Sequence, residues 1–383
     1  MTAFTGSEKR PWRALRLWLV TVPLSLACCG CPFAPLPTDA DPDTGSDGDV
    51  PYLDVSGNAS LNTATALALD PAGELTFRGS IEGSMDIDVF ELGTLSPGDG
   101  VFVDVQRTSG DLDPVAAIFD SREYLIAFND DRTPDSSNLN PQIDFVLAGD
   151  KGMYYLAIIA YPGLSTTGDY EAAVRIDNAV GVPSPQIQIV YLDWDGADKV
   201  QIPNVGTFSL PPFSASDVGL SVGQTESLKD RIQAIIEDRY AGFGLLLLNS
   251  DDHEKPDVPH STVYFGSSDR RAFAIAEKID SYNEDPADDA IVFTESYRDA
   301  FGLGVTLEEM AQAIGNTVSH EVAHLLGLVH TQDCDSLMDT SCYNDRLLSP
   351  QEFKTAVLDD SVFPFGYQAT EEILEWILGL VGL

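Results

Sequence analysis

Basic side chains are scarce in this 383-residue chain: 21 Lys and Arg stand against 61 Asp and Glu, a formal net charge of −40. So acidic a chain repels phosphate backbones and anionic headgroups, which excludes nucleic acid as a partner and leaves a membrane reachable only through a covalent lipid. The acidity suits an exported protein and one that binds Ca2+, and solubility alone accounts for it equally well. Cysteine is sparse too. Of five, three sit at Cys28, Cys29 and Cys31, the other two are Cys334 and Cys342, and none lies between. Two Cys with no second pair nearby argue against a Cys-rich structural metal site. The apolar stretch Leu17 to Ala27 is too short to span a bilayer. The length suits two domains plus tails, and the 44% apolar content is ample for real cores.

Histidine is the scarcest informative residue. The chain has five, and three fall in the run His320-Glu321-Val322-Ala323-His324-Leu325-Leu326-Gly327-Leu328-Val329-His330. On a helix His320 and His324 share a face one turn apart and can share a metal. Glu321 flanks that face and can take a proton from water at the metal. Gly327 lets the backbone leave the helix through a left-handed conformation and turn back to deliver His330 as a third ligand. Three protein ligands leave a fourth position for water, the mark of a catalytic zinc site. The competing reading is a buried helix with incidental histidines, since Leu307 to Val329 is apolar enough for a core helix.

These residues resemble the metzincin clan of zinc metallopeptidases, whose pattern is H-E-x-x-H-x-x-G-x-x-H followed by a Met-containing turn. The turn candidate is Asp335-Ser336-Leu337-Met338-Asp339-Thr340, with Met338 eight residues after His330. The spacing and the Leu-Met pair are most similar to the matrixin branch. Leu348-Ser349-Pro350-Gln351-Glu352-Phe353 resembles the start of the matrixin C-terminal helix. The resemblance implies an apolar floor at Met338 beneath the metal, endopeptide hydrolysis, and an edge strand before the active-site helix along which substrate lies as an added strand. That edge is expected between Ser267 and Ile279. The chain departs from the clan in placing Asp339-Thr340 after the Met, with Tyr343 five residues beyond it, so no tyrosine role is assigned. With no Cys between Cys31 and Cys334, latency by a thiolate on zinc is not supported.

The N-terminus reads as targeting rather than fold. Lys9, Arg10, Arg13 and Arg16 precede the apolar stretch, which ends in Ser25-Leu26-Ala27-Cys28-Cys29-Gly30-Cys31. Ala27-Cys28 resembles a bacterial lipoprotein cleavage site, making Cys28 the candidate for lipidation; Cys31 after Gly30 is the alternative, and plain secretion is a third. In an oxidising compartment Cys334 and Cys342 can close a small loop around Met338, contributing roughly 2–3 kcal/mol.

The organisation follows: a lipoprotein-like signal peptide over 1–28, an Asp/Pro-rich linker over 29–51, a β-sandwich over 52–180, a catalytic domain over 186–366, and an amphipathic helix over 367–383. In the linker, Asp39 to Asp49 alternate like a calcium loop, but Thr44 and Val50 stand where Gly and Glu are needed, so an extended tether is expected. From Leu75 to Ile176 short period-two strands are separated by Gly, Asp, Pro and Ser turns, which predicts an antiparallel sandwich. Gly83-Ser84-Met85-Asp86-Ile87-Asp88, Leu112-Asp113-Pro114, Asn129-Asp130-Asp131 and Gly168-Asp169-Tyr170 resemble the bacterial pre-peptidase C-terminal domain. Asp86, Asp88, Asp130 and Asp131 are candidate Ca2+ ligands, against a reading as solvated turn residues.

Past the hinge Val182-Pro183-Ser184-Pro185, strands are expected at Gln186 to Leu192, Phe243 to Leu248, Thr262 to Phe265 and Ala290 to Phe293, with a helix over Glu226 to Tyr240. His253 and His260 lie in a polar loop that reads as exposed rather than as a second metal site. The fold class is multidomain, a sandwich followed by an α+β metzincin-like domain. The expected function is that of an exported monomeric zinc endopeptidase acting on proteins or peptides, at the cell envelope as a lipoprotein or outside the cell. Two alternatives stand beside it: a surface adhesion protein with a vestigial peptidase domain, and a zinc hydrolase acting on a non-peptide amide.

Overall fold

The computed structural model describes residues 50–53, 57–133 and 137–382. The expected signal peptide, including Cys28, and nearly all of the linker lie outside the described residues. Among the described residues no helix is long and apolar enough to cross a membrane.

The first half carries β1 (Thr65–Ala66), β2 (Glu74–Ile81), β3 (Ile87–Leu95), β4 (Gly100–Arg107), β5 (Pro114–Asp120), β6 (Leu125–Asn129), β7 (Gln142–Val146), β8 (Gly152–Ala160) and β9 (Gly168–Asp177). They form two sheets, ordered β1-β3-β8-β5-β6 and β2-β9-β4-β7. All pairings are antiparallel except that of the two-residue β1 with β3. In β4 and β9 burial alternates along the strand, as expected where one face meets the core and the other meets water. Strand β5 differs, because every residue from Pro114 to Asp120 is buried. Ala116 and Ile118 point into the sandwich core with Phe77, Phe90 and Tyr170. Val115, Ala117 and Phe119 point out, and β8 repeats the pattern with Ala157 and Ile159 outward. Val329, Leu358, Val362 and Phe363 of the second half cover that outer face. Each such side chain contributes roughly 1.5–3 kcal/mol when fully buried. Polar contacts fix the orientation. The Tyr282 hydroxyl donates to the Ile126 carbonyl at 2.9 Å, its ring stacks on Phe145 at 5.2 Å, and Arg122 pairs with Glu372 at 3.0 Å.

The second half carries β10 (Gln188–Asp193), β11 (Ala197–Ile202), β12 (Gly206–Leu210), α1 (Thr225–Arg239), β13 (Leu245–Asn249), β14 (Ser261–Phe265), β15 (Ala274–Ala276), β16 (Asp289–Val292), α2 (Thr294–Phe301), α3 (Leu307–Leu325), β17 (Ala356–Val357), β18 (Tyr367–Gln368) and α4 (Thr370–Leu378). The main sheet runs β13-β10-β14-β16-β15. Its first four strands are parallel, and β15 closes it as an antiparallel edge. α1 buries Leu228, Ile232, Ile235 and Ile236 as one stripe. It packs on α3 at Gly315, where a Cβ would come within 2.6 Å of Ile235 Cγ2. α3 starts with a capping box, the Thr306 hydroxyl accepting from the Glu309 N–H and the Glu309 carboxylate from the Thr306 N–H.

The structure corrects one expected element. No helix begins at Leu348; a short 3-10 turn over Asn344–Leu348 leads into extended chain. The reason is that the Glu352 N–H donates to the Asp335 carbonyl at 3.0 Å and its carbonyl accepts from the Leu337 N–H at 2.8 Å. Those groups strap the Met338 turn and are unavailable for intrahelical bonds. α4 docks on the core through Leu374, Ile377 and Leu378. The β11–β12 hairpin and α2 are elements the sequence reading did not anticipate.

Candidate metal centre and active-site cleft

α3 places His320 and His324 one turn apart, and the helix ends at Leu325. Gly327 then adopts φ +88°, in the left-handed region that disfavours a side chain. Space forbids one as well: a Cβ would lie 2.9 Å from the Asp280 carbonyl oxygen. The chain folds back and presents His330, which is held from both sides. The Val329 N–H donates to Gln368 Oε1 at 2.7 Å while Gln368 Nε2 donates to the Val329 carbonyl at 2.9 Å. The Asp359 N–H donates to the His330 carbonyl at 3.0 Å. A loop ligand thus acquires the fixity of a helix ligand.

The ligand nitrogens of His320, His324 and His330 lie within 4.8 Å of one another. His320 Nδ1 is 2.8 Å from the Leu337 carbonyl and His324 Nδ1 is 2.7 Å from the Leu328 carbonyl. A carbonyl only accepts, so both Nδ1 atoms carry the proton and both Nε2 atoms present lone pairs. His324 Nε2 and His330 Nε2 are 3.0 Å apart. The edge of a tetrahedral site with Zn–N of about 2.0–2.1 Å is about 3.3 Å. Burial lowers the proton affinity of all three rings: His324 well below its ordinary value, and His330 to about 3, with His320 nearby adding to the effect. Neutral imidazole is the ligating form. Donor type, tautomer and spacing together fit a zinc ion.

Glu321 is buried beside the triad, where the backbone amide of Ala276 in β15 favours its charged form. Burial pushes its carboxyl up to about 8, and a divalent cation nearby would bring it back down. Strand β15 falls within the expected Ser267 to Ile279 window and is an edge of the sheet. Met338 is fully buried in the core. Its turn is pinned by the Thr331 N–H, which donates to the Met338 carbonyl at 2.8 Å. The same turn supplies the Leu337 carbonyl that orients His320. A Cys334–Cys342 disulfide spans the turn, with Cα atoms 5.5 Å apart. Tyr343 is largely exposed on the cleft rim.

The site opens into a cleft of about 1030 Å3. The imidazoles and Glu321 form its floor, residues 271–284 and 339–347 two walls, and the β11–β12 turn part of the rim. The remaining wall is the sandwich, through residues 127–132 and 142–145.

The four calcium candidates do not converge. The Asp86 carboxylate accepts the Glu82 N–H at 2.7 Å, and Asp88 is buried against the Tyr170 hydroxyl at 2.6 Å. Asp130 and Asp131 follow β6, which β8 and β5 separate from β3, and they line the cleft instead. Asp86 is bonded within its own turn, and Asp88 reaches across the sandwich to β9. Among the described residues no three carboxylates gather at ligand distance. His253 is exposed, and His260 Nδ1 meets its neighbour Val258 carbonyl at 2.7 Å.

Three contributors escaped the sequence reading: the Ala276 N–H, the Gln368 clamp and the sandwich wall. The first is a backbone group and the second a side-chain amide that meets a backbone 39 residues away, and no local pattern marks either. The third had a signal in the unbroken apolar runs of β5 and β8, which indicate burial on both faces.

No family model and no curated protein matches the chain. Solved structures that resemble parts of it include a zinc-dependent peptidase from Methanocorpusculum labreanum (14% identity, 43% of this chain and 95% of that one, TM-score 0.26). Archaemetzincin from Methanopyrus kandleri is similar at 12% identity over 44% of this chain and 89% of that one, with TM-score 0.27. The pre-peptidase C-terminal domain of a Bacillus anthracis collagenase is similar at 18% identity over 29% of this chain and 94% of that one, with TM-score 0.23. The neighbours of this chain thus include zinc peptidases and a pre-peptidase C-terminal domain, each partial and weak.

Proposed function

We propose that this chain is an exported, metzincin-like zinc endopeptidase in which His320, His324 and His330 hold the metal and Glu321 is the general base. The observation that carries the reading is the meeting, in one open cleft, of three imidazoles whose ligand nitrogens lie within 4.8 Å of one another and a buried carboxylate. Zinc held there would act as a Lewis acid, bringing the pKa of water toward neutrality and polarising the scissile carbonyl. Glu321 takes the proton of the attacking water and later delivers it to the departing amine. The Ala276 N–H favours the charged form of Glu321 that takes the first proton. The free side of β15 offers backbone groups to an extended peptide, aligning it over the floor. The Leu337 and Leu328 carbonyls keep His320 and His324 in the ligating tautomer. The lipid-anchored form of export through Cys28 belongs to the same proposal.

Replacing Glu321 with Ala separates binding from chemistry. The variant is expected to retain about one zinc per chain while casein hydrolysis falls by at least about a thousandfold. Zinc content by elemental analysis and zymography with and without a chelator read the two properties. Full activity in the Glu321→Ala protein, or chelator-insensitive activity in the wild type, overturns the assignment.

A further inference from the structure

The loop from β15 to β16 holds a conformation that one of its residues disfavours. Tyr282 sits at φ +63° and Asn283 at φ +51°, both in the left-handed region. Asn visits that region readily. A bulky aromatic residue there is an outlier that surrounding contacts must hold.

Those contacts come from the sandwich. The Tyr282 hydroxyl donates to the Ile126 carbonyl at 2.9 Å, and its ring stacks on Phe145 of β7 at an interplanar angle of 17°. The Ser281 hydroxyl donates to the Phe128 carbonyl at 3.3 Å. Ile126 and Phe128 are alternate residues of β6, the last strand of its sheet, so both carbonyls face away from β5 and need partners from outside the sheet. Tyr282 also packs against the apolar cores of both halves. The loop is tied to its own half at Asn283, whose Nδ2 donates to Gln188 Oε1 at 2.9 Å.

On its opposite side the loop meets the metal turn. The Asp280 N–H donates to the His324 carbonyl at 2.9 Å, and the Gly327 N–H shares that acceptor. The backbone from Asp280 to Tyr282 fills the space that a Gly327 Cβ would take, with Tyr282 N 3.1 Å from that position. Leu328 comes next in sequence, and its carbonyl holds His324 Nδ1 at 2.7 Å. His330 follows two residues later. A loop that moved off Gly327 would free the turn that orients one ligand and carries another.

We propose that Tyr282 is a positioning residue for the metal centre: the sandwich holds it in the left-handed conformation, and the loop so held props the turn between His324 and His330. This rests on the reading of the three imidazoles as a zinc site and gives the sandwich a role in it. An apolar face alone would join the two halves without acting on the loop. The grip on a strained side chain transmits the docking to the ligands.

Release of zinc from the full loaded chain to a colorimetric chelator is the readout, and it needs no peptide cleavage. In Tyr282→Ala the strain stays while the sandwich contacts are lost, so release is expected to quicken by about tenfold, the low end for a residue that supports metal ligands from behind. In Tyr282→Gly the strain goes as well, so its rate is expected to fall between those of Ala and wild type. General loosening gives the reverse order, because Gly frees a chain more than Ala does. Tyr282→Phe keeps the stacked ring and is expected to stay close to wild type. Val115→Ala weakens the docked face in a cluster that does not contain Tyr282, and is expected to lower Tm without quickening release. Should Tyr282→Ala fail to fold, Phe145→Leu removes the ring stacked on Tyr282 and is expected to quicken release in its place. A wild-type rate in the Tyr282→Ala or Phe145→Leu protein, release from Gly as fast as from Ala, or equal quickening in Val115→Ala overturns the proposal. A wild type that holds zinc and cleaves no peptide, with the release order intact, sinks the peptidase reading and leaves the proposal standing. A wild type that holds no zinc removes both.

Discussion

Asp288 shows how one buried carboxyl sets a pH dependence away from the metal. It is almost completely buried just ahead of β16, and one oxygen accepts the hydroxyl of Ser261 on β14 at 2.9 Å while the other has no partner. Burial, aided by the negative charge of Asp280, pushes its pKa up to about 8. An unfolded Asp titrates near about 3.9. Between those values the folded chain keeps a proton that the unfolded chain has released, so stability from this group is full below about pH 4 and is lost as pH rises through about 8. Asn reproduces the protonated form at every pH. Asp288→Asn is therefore expected to melt within a degree or two of wild type at pH 5 and to pull ahead steadily toward pH 9, by a few kcal/mol at most. Differential scanning fluorimetry across that range measures it, and parallel Tm curves for the two proteins would contradict the enclosure described here.

At the scale of an element, the turn from α3 to His330 converts a helix into a three-ligand cradle, and Gly327 is its pivot. Two separate physical demands fall on that residue. Its φ of +88° costs an L side chain about 1–2 kcal/mol, and its missing Cβ leaves room for Asp280 and Ser281 to pass at 2.9 Å. Gly242 carries only the first demand, with φ +96° and open space where a Cβ would stand. Gly242→Ala is thus expected to cost about 1–2 kcal/mol and leave zinc content unchanged. Gly327→Ala should cost a further ~1–3 kcal/mol and release zinc more readily, because the displaced loop carries His330. Urea melts and zinc stoichiometry compare the two; equal losses would mean that the close approach does not exist. This pivot was readable in the linear sequence, since a His pair at helical spacing, a Gly and a third His encode it within eleven residues. The strands of the sandwich were readable for a similar reason, their period being local. What lay beyond reading was pairing at long range. Gln368 clamps Val329 from 39 residues away, and Glu352 straps Leu337 and thereby overrides the helix that Leu348 to Phe353 resembles. Neither partnership leaves a mark on its own segment: Glu352 works through its backbone, and the Gln368 side-chain amide meets the Val329 backbone, a group every residue carries.

The molecule as a whole is organised around a shared face rather than two independent bodies. Val115, Ala117, Phe119, Ala157 and Ile159 on one side and Val329, Leu358, Val362 and Phe363 on the other form one apolar cluster. The Phe119 ring lies 5.2 Å from Phe363 and 4.8 Å from Phe365. Cutting the chain at the Val182 to Pro185 hinge would expose both sides to water, and at roughly 1.5–3 kcal/mol per large side chain the loss is comparable to the whole stability of a domain. The exposed patch would also lie against the loop that carries His330. The isolated 186–383 fragment is therefore expected to self-associate, to melt well below the full chain, and to bind zinc weakly. Co-expression of residues 52–180 as a separate chain should restore solubility and zinc retention by covering the patch. Light scattering, thermal melting and zinc analysis of the fragment alone and of the pair decide the matter. A monodisperse fragment as stable and as zinc-replete as the full chain would show that the sandwich only touches the catalytic half. Failure of the fragment and rescue by its missing partner would instead establish that the metal loop and the sandwich fold as one unit.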